Sequence, residues 1–314
     1  MKILAPSWLV LPFMLLLAGC PEGGGGDGGF SAGGAQIAFV ANTGPNELSA
    51  YTINGVGALT DAGTFPLADI PSLIAVSPNG SFAFVGTNNG IYAFTVNAVT
   101  GGLASVAGSP FSSANTFNAV TVSPNGRFLY AANNNGTLSG YTISGSTGIL
   151  ALVGAPSAVG TTPSGVAVSP NGSFLYVSNQ GSNDVSAFTI NGTTGALSGI
   201  GAPVAAGTAP SGVAVSPNGL FLYVSNQGSN DVSAFTINGT TGALSGIGTS
   251  VAAGTSPSGI TIEPDGQFLY VSNSGGGGNV SGYRITAGTG ALVSLGAVFP
   301  AGTIPVGIAT PGRP

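Results

Sequence analysis

The chain has 314 residues, of which 55 are Gly and 21 are Pro, while only 4% are charged. Four basic residues stand against nine acidic ones, His is absent, and Cys occurs once. That excludes a nucleic-acid partner, which needs a basic patch, and any chemistry built on a Ser-His-Asp or Cys-His pair or on His-ligated zinc. With 43% hydrophobic residues, and Val, Ile, Tyr, Phe and Thr in short runs between Gly and Pro, the composition is all-β with many turns.

In chain order, Met1–Leu17 comes first: one basic residue, Lys2, then an apolar stretch interrupted by Pro6 and Pro12. It fits a secretory signal peptide better than a spanning helix. It ends in Leu17-Ala18-Gly19-Cys20, which resembles the lipobox of bacterial lipoproteins. The resemblance implies cleavage before Cys20 and lipid on its sulfur and new amino group; an ordinary signal peptide with a chance Cys is the alternative. Several acyl chains on one residue anchor stably. Pro21–Ala35 holds eight Gly in 15 residues, a tether with a reach of roughly 20 Å. The expected organisation is a signal peptide at 1–19, a lipidated Cys and tether at 20–35, and a folded unit at 36–314. The membrane, reached through the lipid, is then one partner, and the location is the bacterial cell envelope outside the cytoplasm.

The folded unit is repetitive. Ser-Pro-Asn-Gly begins at Ser77, Ser123, Ser169 and Ser216, with Glu-Pro-Asp-Gly at Glu263, at spacings of 46, 46, 47 and 47 residues. Pro fixes φ at the second turn position, Asn or Asp tolerates the third, and Gly accepts the positive φ that follows. Each turn joins a small-residue strand, such as Gly212–Val215, to a larger one, such as Phe221–Asn226. A third strand (Val232–Ile237) and a short fourth one near Ala243–Ile247 complete four antiparallel strands per repeat. That is the blade of a β-propeller, with the small residues innermost where blades converge. Inner strands start at Pro71, Phe117, Pro163, Pro210, Pro257 and Pro305; second strands end at Asn42, Thr87, Asn133, Asn179, Asn226 and Asn273. The count predicts six blades, with seven as the alternative, closed by pairing Pro305–Thr310 with Ile37–Asn42. Segments 163–201 and 210–248 differ only at Ser173 and Leu220, so blades four and five are near copies that fit one another's surfaces.

The motif Leu-Tyr-Val-Ser-Asn at Leu175–Asn179, Leu222–Asn226 and Leu269–Asn273, after its Pro-Asn/Asp-Gly turn, resembles the YVTN-type β-propeller repeat. Through it the chain is similar to the lactonase group of 6-phosphogluconolactonase-like propellers over residues 37–310. Members of that group usually have seven blades.

The loops after the second strands, and those leading into the inner strands, open on one face. Glu47, Asp184 and Asp231 hold equivalent positions there, and Asp69 joins them, with no Lys or Arg mapping to that face. Four such carboxylates could attract calcium or a cationic ligand, or could cap their own loops. No other cofactor is expected. No family motif supplies catalytic residues, so none is assigned, and the balance is against an enzyme. The expectation is a lipid-anchored binding or scaffold module for a protein or an envelope polymer such as a polysaccharide; the alternative is a lactonase-like hydrolase of a sugar lactone.

Overall fold

The computed structural model describes residues 13–18, 36–53, 59–112 and 115–301. Among them are six antiparallel sheets of four or five strands and no helix. Sheet four is representative: Pro163–Val168, Phe174–Asn179, Asp184–Ile190 and Leu197–Gly199 run side by side. A two-residue strand, Val204–Ala205, returns to pair with the third. The remaining inner strands are Pro71–Val76, Phe117–Val122, Pro210–Val215 and Pro257–Ile262, each beginning where the repeat predicts. The inner strands of sheets two to six neighbour one another in chain order.

The turns behave as their residues require. In the first, Gly80 N–H donates to the Ser77 carbonyl at 2.8 Å, and Gly80 has φ 69°. Ser77 Oγ donates to Asn79 Oδ1 at 2.7 Å and accepts from Phe82 N–H at 2.9 Å. That double bond explains why Ser precedes the Pro, since it ties both ends of the turn to one hydroxyl.

The second strands of sheets two to five are buried on both faces; all six residues of Phe174–Asn179 are inside. Side chains alternate between faces, so Phe174 and Tyr176 pack with Leu222 and Val224 of the next sheet. Leu175 and Val177 pack with Phe128 and Tyr130 of the previous one. Each fully buried Leu, Val or Phe contributes about 1.5–3 kcal/mol, and the core is divided among the seams between sheets rather than gathered in one place.

A polar latch closes each of these seams. Tyr130, Tyr176 and Tyr223, all fully buried, donate to the carbonyls of Gly195, Gly242 and Gly290 of the following sheet at 3.0, 2.9 and 2.8 Å. Those glycines sit at φ 76°, 73° and 70°, where L side chains are strained, and the ring of Phe128, Phe174 or Phe221 lies where a Cβ would be.

One strand departs from expectation. The edge of Gln36–Asn42 is taken by Phe13–Ala18, antiparallel from Phe13↔Asn42 to Ala18↔Ile37. An open strand edge presents unpaired N–H and C=O groups, and the apolar run Phe-Met-Leu-Leu-Leu-Ala supplies a strand to meet them. The expected partner, Pro305–Thr310, lies outside the described residues, as do Cys20 and the tether.

Candidate active site

The inner strands and Ala41 and Thr43 of sheet one surround a central cavity of about 640 Å³, lined by residues of all six sheets. That volume lies within the range of small-ligand pockets. No charged side chain is among its lining residues. The wall is mostly Val, Ile, Ala and Leu with Gly165, Gly212 and Gly259, and its hydroxyls come from Ser72, Ser164, Ser211 and Ser258 and from Thr43, Thr121 and Thr261.

These hydroxyls recur at the second position of each inner strand, with Asn118 in sheet three. Ser72 Oγ donates to the Phe117 carbonyl at 2.5 Å, Asn118 Nδ2 to that of Pro163 at 2.8 Å. Ser164 Oγ donates to that of Pro210 at 2.8 Å and Ser211 Oγ to that of Pro257 at 3.0 Å. Ser72, Asn118, Ser164 and Ser211 thus each reach a carbonyl of the next sheet, and a hydroxyl that donates keeps acceptor capacity. Nearby, Gln180 Nε2 donates to Gln227 Oε1 at 3.0 Å across sheets four and five. Thr43 Oγ1 is buried and has no hydrogen-bond partner among the described residues. The ring turns uncharged hydroxyl oxygens, which can accept hydrogen bonds, toward the cavity.

The four acidic residues expected on this face are placed separately. Asp184 and Asp231 open the third strands of sheets four and five. Their Oδ1 atoms accept from Asn179 Nδ2 and Asn226 Nδ2, both at 2.6 Å, and the same amides reach Ser186 and Ser233. They serve as caps within their own sheets, which the second-strand Asn residues share. Glu47 pairs with Asn42 across its strand. Asp69 stands two residues before Pro71 of the cavity wall, and its Oδ2 accepts from Tyr92 Oη at 2.8 Å. Burial, then the Asp69 carboxylate, raises the Tyr92 pKa above 10.0. Among the described residues no three of Asp, Glu, His or Cys converge on a metal-sized site.

The described basic residues, Arg127 and Arg284, lie elsewhere. Arg127 donates to the carbonyls of Gly192 and Thr193 at 3.2 Å each and covers the Phe128 ring at 5.3 Å. Arg284 is exposed on the third strand of sheet six.

The sequence of residues 104–209 and 202–306 matches the family described as lactonase, 7-bladed beta-propeller. The chain belongs to the lactonase family of propellers. This lactonase-family chain shows six sheets among its described residues where the family description has seven blades. Its fold is shared with a periplasmic gluconolactonase of Pseudomonas aeruginosa, at 21% identity and TM-score 0.72 over 86% of this chain and 84% of that one. A protein of Bacteroides fragilis assigned as a 6-phosphogluconolactonase is 19% identical, with TM-score 0.72 over 96% and 99% of the two chains. A second such assignment, from Bacteroides uniformis, is 21% identical with TM-score 0.69 over 83% and 80%. No curated protein matches by sequence. The expectation of a binding or scaffold module is thereby corrected: family membership points to a hydrolase, the reading first held as the alternative. The missing His had weighed against an enzyme, but it excludes only the mechanisms that use one.

Sequence reasoning missed the hydroxyl ring. Its signal was present, since Ser72, Asn118, Ser164, Ser211 and Ser258 recur at the repeat spacing. Attention to charged residues passed over it.

Proposed function

We propose that this chain is a lactonase-type hydrolase that opens an uncharged sugar lactone in the central cavity. Family membership carries the reading, and the cavity lining narrows the substrate. A phosphate ester is held by cations in a charge-assisted geometry. Arg127 is bonded to carbonyls away from the cavity, Arg284 is exposed on a third strand, and neither lines the cavity, whose wall carries no charge. The lactone hydroxyls donate to the oxygens of Ser72, Ser164, Ser211 and Ser258, and the apolar wall covers the ring. Water adds to the lactone carbonyl, the ring C–O bond breaks, and the product is a hydroxy acid that releases one proton at neutral pH. Asp69, held by Tyr92 beside the cavity wall, is the candidate base that orients and deprotonates the water.

Proton release from δ-gluconolactone, followed above its spontaneous hydrolysis, tests this. The wild type should accelerate ring opening and should favour the unphosphorylated over the 6-phosphorylated lactone. Asp69→Asn should lower kcat by roughly 10²–10⁴-fold, and Tyr92→Phe by less. No acceleration with either lactone would overturn the assignment, and an undiminished Asp69→Asn enzyme would remove that residue from it.

We further propose that Cys20 carries lipid and holds the enzyme outside the cytoplasm, which the Leu17–Cys20 motif and the Gly tether support. Cys20→Ser should shift the protein from the membrane to the soluble fraction. An unchanged membrane fraction with no acyl mass on the N-terminal peptide would refute it.

A further inference from the structure

The two ends of the central cavity are chemically unlike. The inner strands of sheets two to six run along it in the same sense, from a first residue beside the ends of the second strands to a sixth residue that leads into the tight turns. Their second position is Ser72, Asn118, Ser164, Ser211 and Ser258, which form a polar collar at the first end. Asp69 lies two residues before Pro71. Gln180 and Gln227, bonded to one another, follow Asn179 and Asn226, which pair with Pro163 and Pro210. The candidate base, these amides and the collar therefore share one end.

The other end is hydrocarbon. The fourth position of the same strands is Ile74, Val120, Val166, Val213 and Ile260, all of which line the cavity. The sixth is Val76, Val122, Val168, Val215 and Ile262, each half-buried. Among the described lining residues, only Thr121 and Thr261 bring a polar side-chain atom to this half. Backbone groups on the open edges of the inner strands recur at both ends, so the side chains make the difference. All the residues of both tiers are β-branched, with few rotamers open to them, so the throat is stiff as well as apolar.

From the second to the sixth residue is about 13 Å at the rise of a strand. A cavity of about 640 Å³ is of the size that encloses a drug-sized ligand, more than one six-membered ring. A sugar lactone carries hydroxyls around its ring, and those turned toward Val and Ile would lose water without gaining a partner, which is unfavourable. A hydrocarbon chain in the same place is favoured by the apolar area it removes from water.

We propose that the preferred substrate is an amphiphilic lactone, its uncharged ring held at the collar and a hydrocarbon chain on that ring reaching down the throat. The ring carbonyl then lies at the end that holds Asp69. Water adds to it, the ring C–O bond breaks, and the hydroxy acid keeps its chain in the throat while the new carboxylate stays at the polar end. The inference rests on the reading of this cavity as the lactone site and adds what the ring carries.

Proton release from δ-valerolactone, δ-hexalactone, δ-octalactone and δ-decalactone tests it, since these share a ring and differ only in the chain upon it. kcat/KM should rise about fourfold for each CH₂ that enters the throat, and δ-octalactone should be opened more efficiently than δ-gluconolactone. A Val166→Thr/Val213→Thr double variant nearly keeps the shape of the wall while adding two hydroxyls, and should at least halve that factor. Calorimetry with the corresponding lactams, which are not hydrolysed, reads the throat without turnover: affinity should tighten with chain length, less so in the double variant. Turnover of δ-gluconolactone with no dependence on chain length along the series would overturn the inference and leave the hydrolase reading standing. No turnover of any lactone would overturn both. A dependence on chain length that is equal in wild type and double variant would put the chain outside the throat and also overturn the inference.

Discussion

Raising the pH from 9 toward 12 should unfold the protein cooperatively. Burial pushes the hydroxyls of Tyr130, Tyr176 and Tyr223 far above the usual phenol value of 10.0, and that of Tyr283 up to about 12. All four donate to carbonyls, those of Gly195, Gly242, Gly290 and Ala252. In the unfolded chain each phenol releases its proton near pH 10, whereas the folded state retains it. Stability is therefore fully present below pH 10 and declines as pH climbs toward the folded values, by up to about 1.4 kcal/mol per Tyr per pH unit. Circular dichroism against pH, beside the tyrosinate absorbance, checks this: half of the eight Tyr should ionise only with unfolding. A triple Tyr130/Tyr176/Tyr223→Phe variant should lose about 1 kcal/mol per hydrogen bond at neutral pH yet show a shallower alkaline transition. Phe84 and Phe39 already hold the equivalent positions in sheets two and one. Ionisation of all eight near pH 10 in an intact fold would contradict the latch.

Gly242→Ala should be strongly destabilising. The residue sits at φ 73°, and the new Cβ would meet the Phe174 ring and lie 2.8 Å from Ile200 Cδ1. Backbone strain of about 1–3 kcal/mol and overpacking of about 1–3 kcal/mol together predict a loss of roughly 2–6 kcal/mol. Gly246→Ala, with open space around its Cβ, is the control and should leave the urea midpoint almost unmoved. A Gly242→Ala midpoint equal to the control would show that the seam yields at little cost.

The sheets were legible to the residue because their signals are local. Ser-Pro-Asn-Gly dictates its own turn, and the small strands before it begin at Pro71, Pro163, Pro210 and Pro257 as read from the repeat. Two-residue strands such as Val204–Ala205 escaped because they take their conformation from pairing with the third strand. Phe13–Ala18 escaped because its apolar pattern fits a leader and a strand equally well, and only the open edge of Gln36–Asn42 decides between them. At the site, the repeat brought Asp184 and Asp231 to equivalent places, but pattern alone could not show Asn179 and Asn226 claiming their oxygens. The neutral wall of Ser72, Ser164, Ser211 and Ser258 carries no formal charge, so a reading led by charge had no reason to gather it.

The latches make each sheet's contacts transferable. Tyr176 meets Gly242 as Tyr223 meets Gly290, and Ser164 meets Pro210 as Ser211 meets Pro257. A tandem copy of residues 210–256 inserted after 256 would greet both neighbours with groups they already bind. Slippage between two nearly identical stretches of gene could therefore lengthen or shorten the array by one unit without any new side-chain fit. One such recombination event would change the number of sheets, and the width of the central cavity with it.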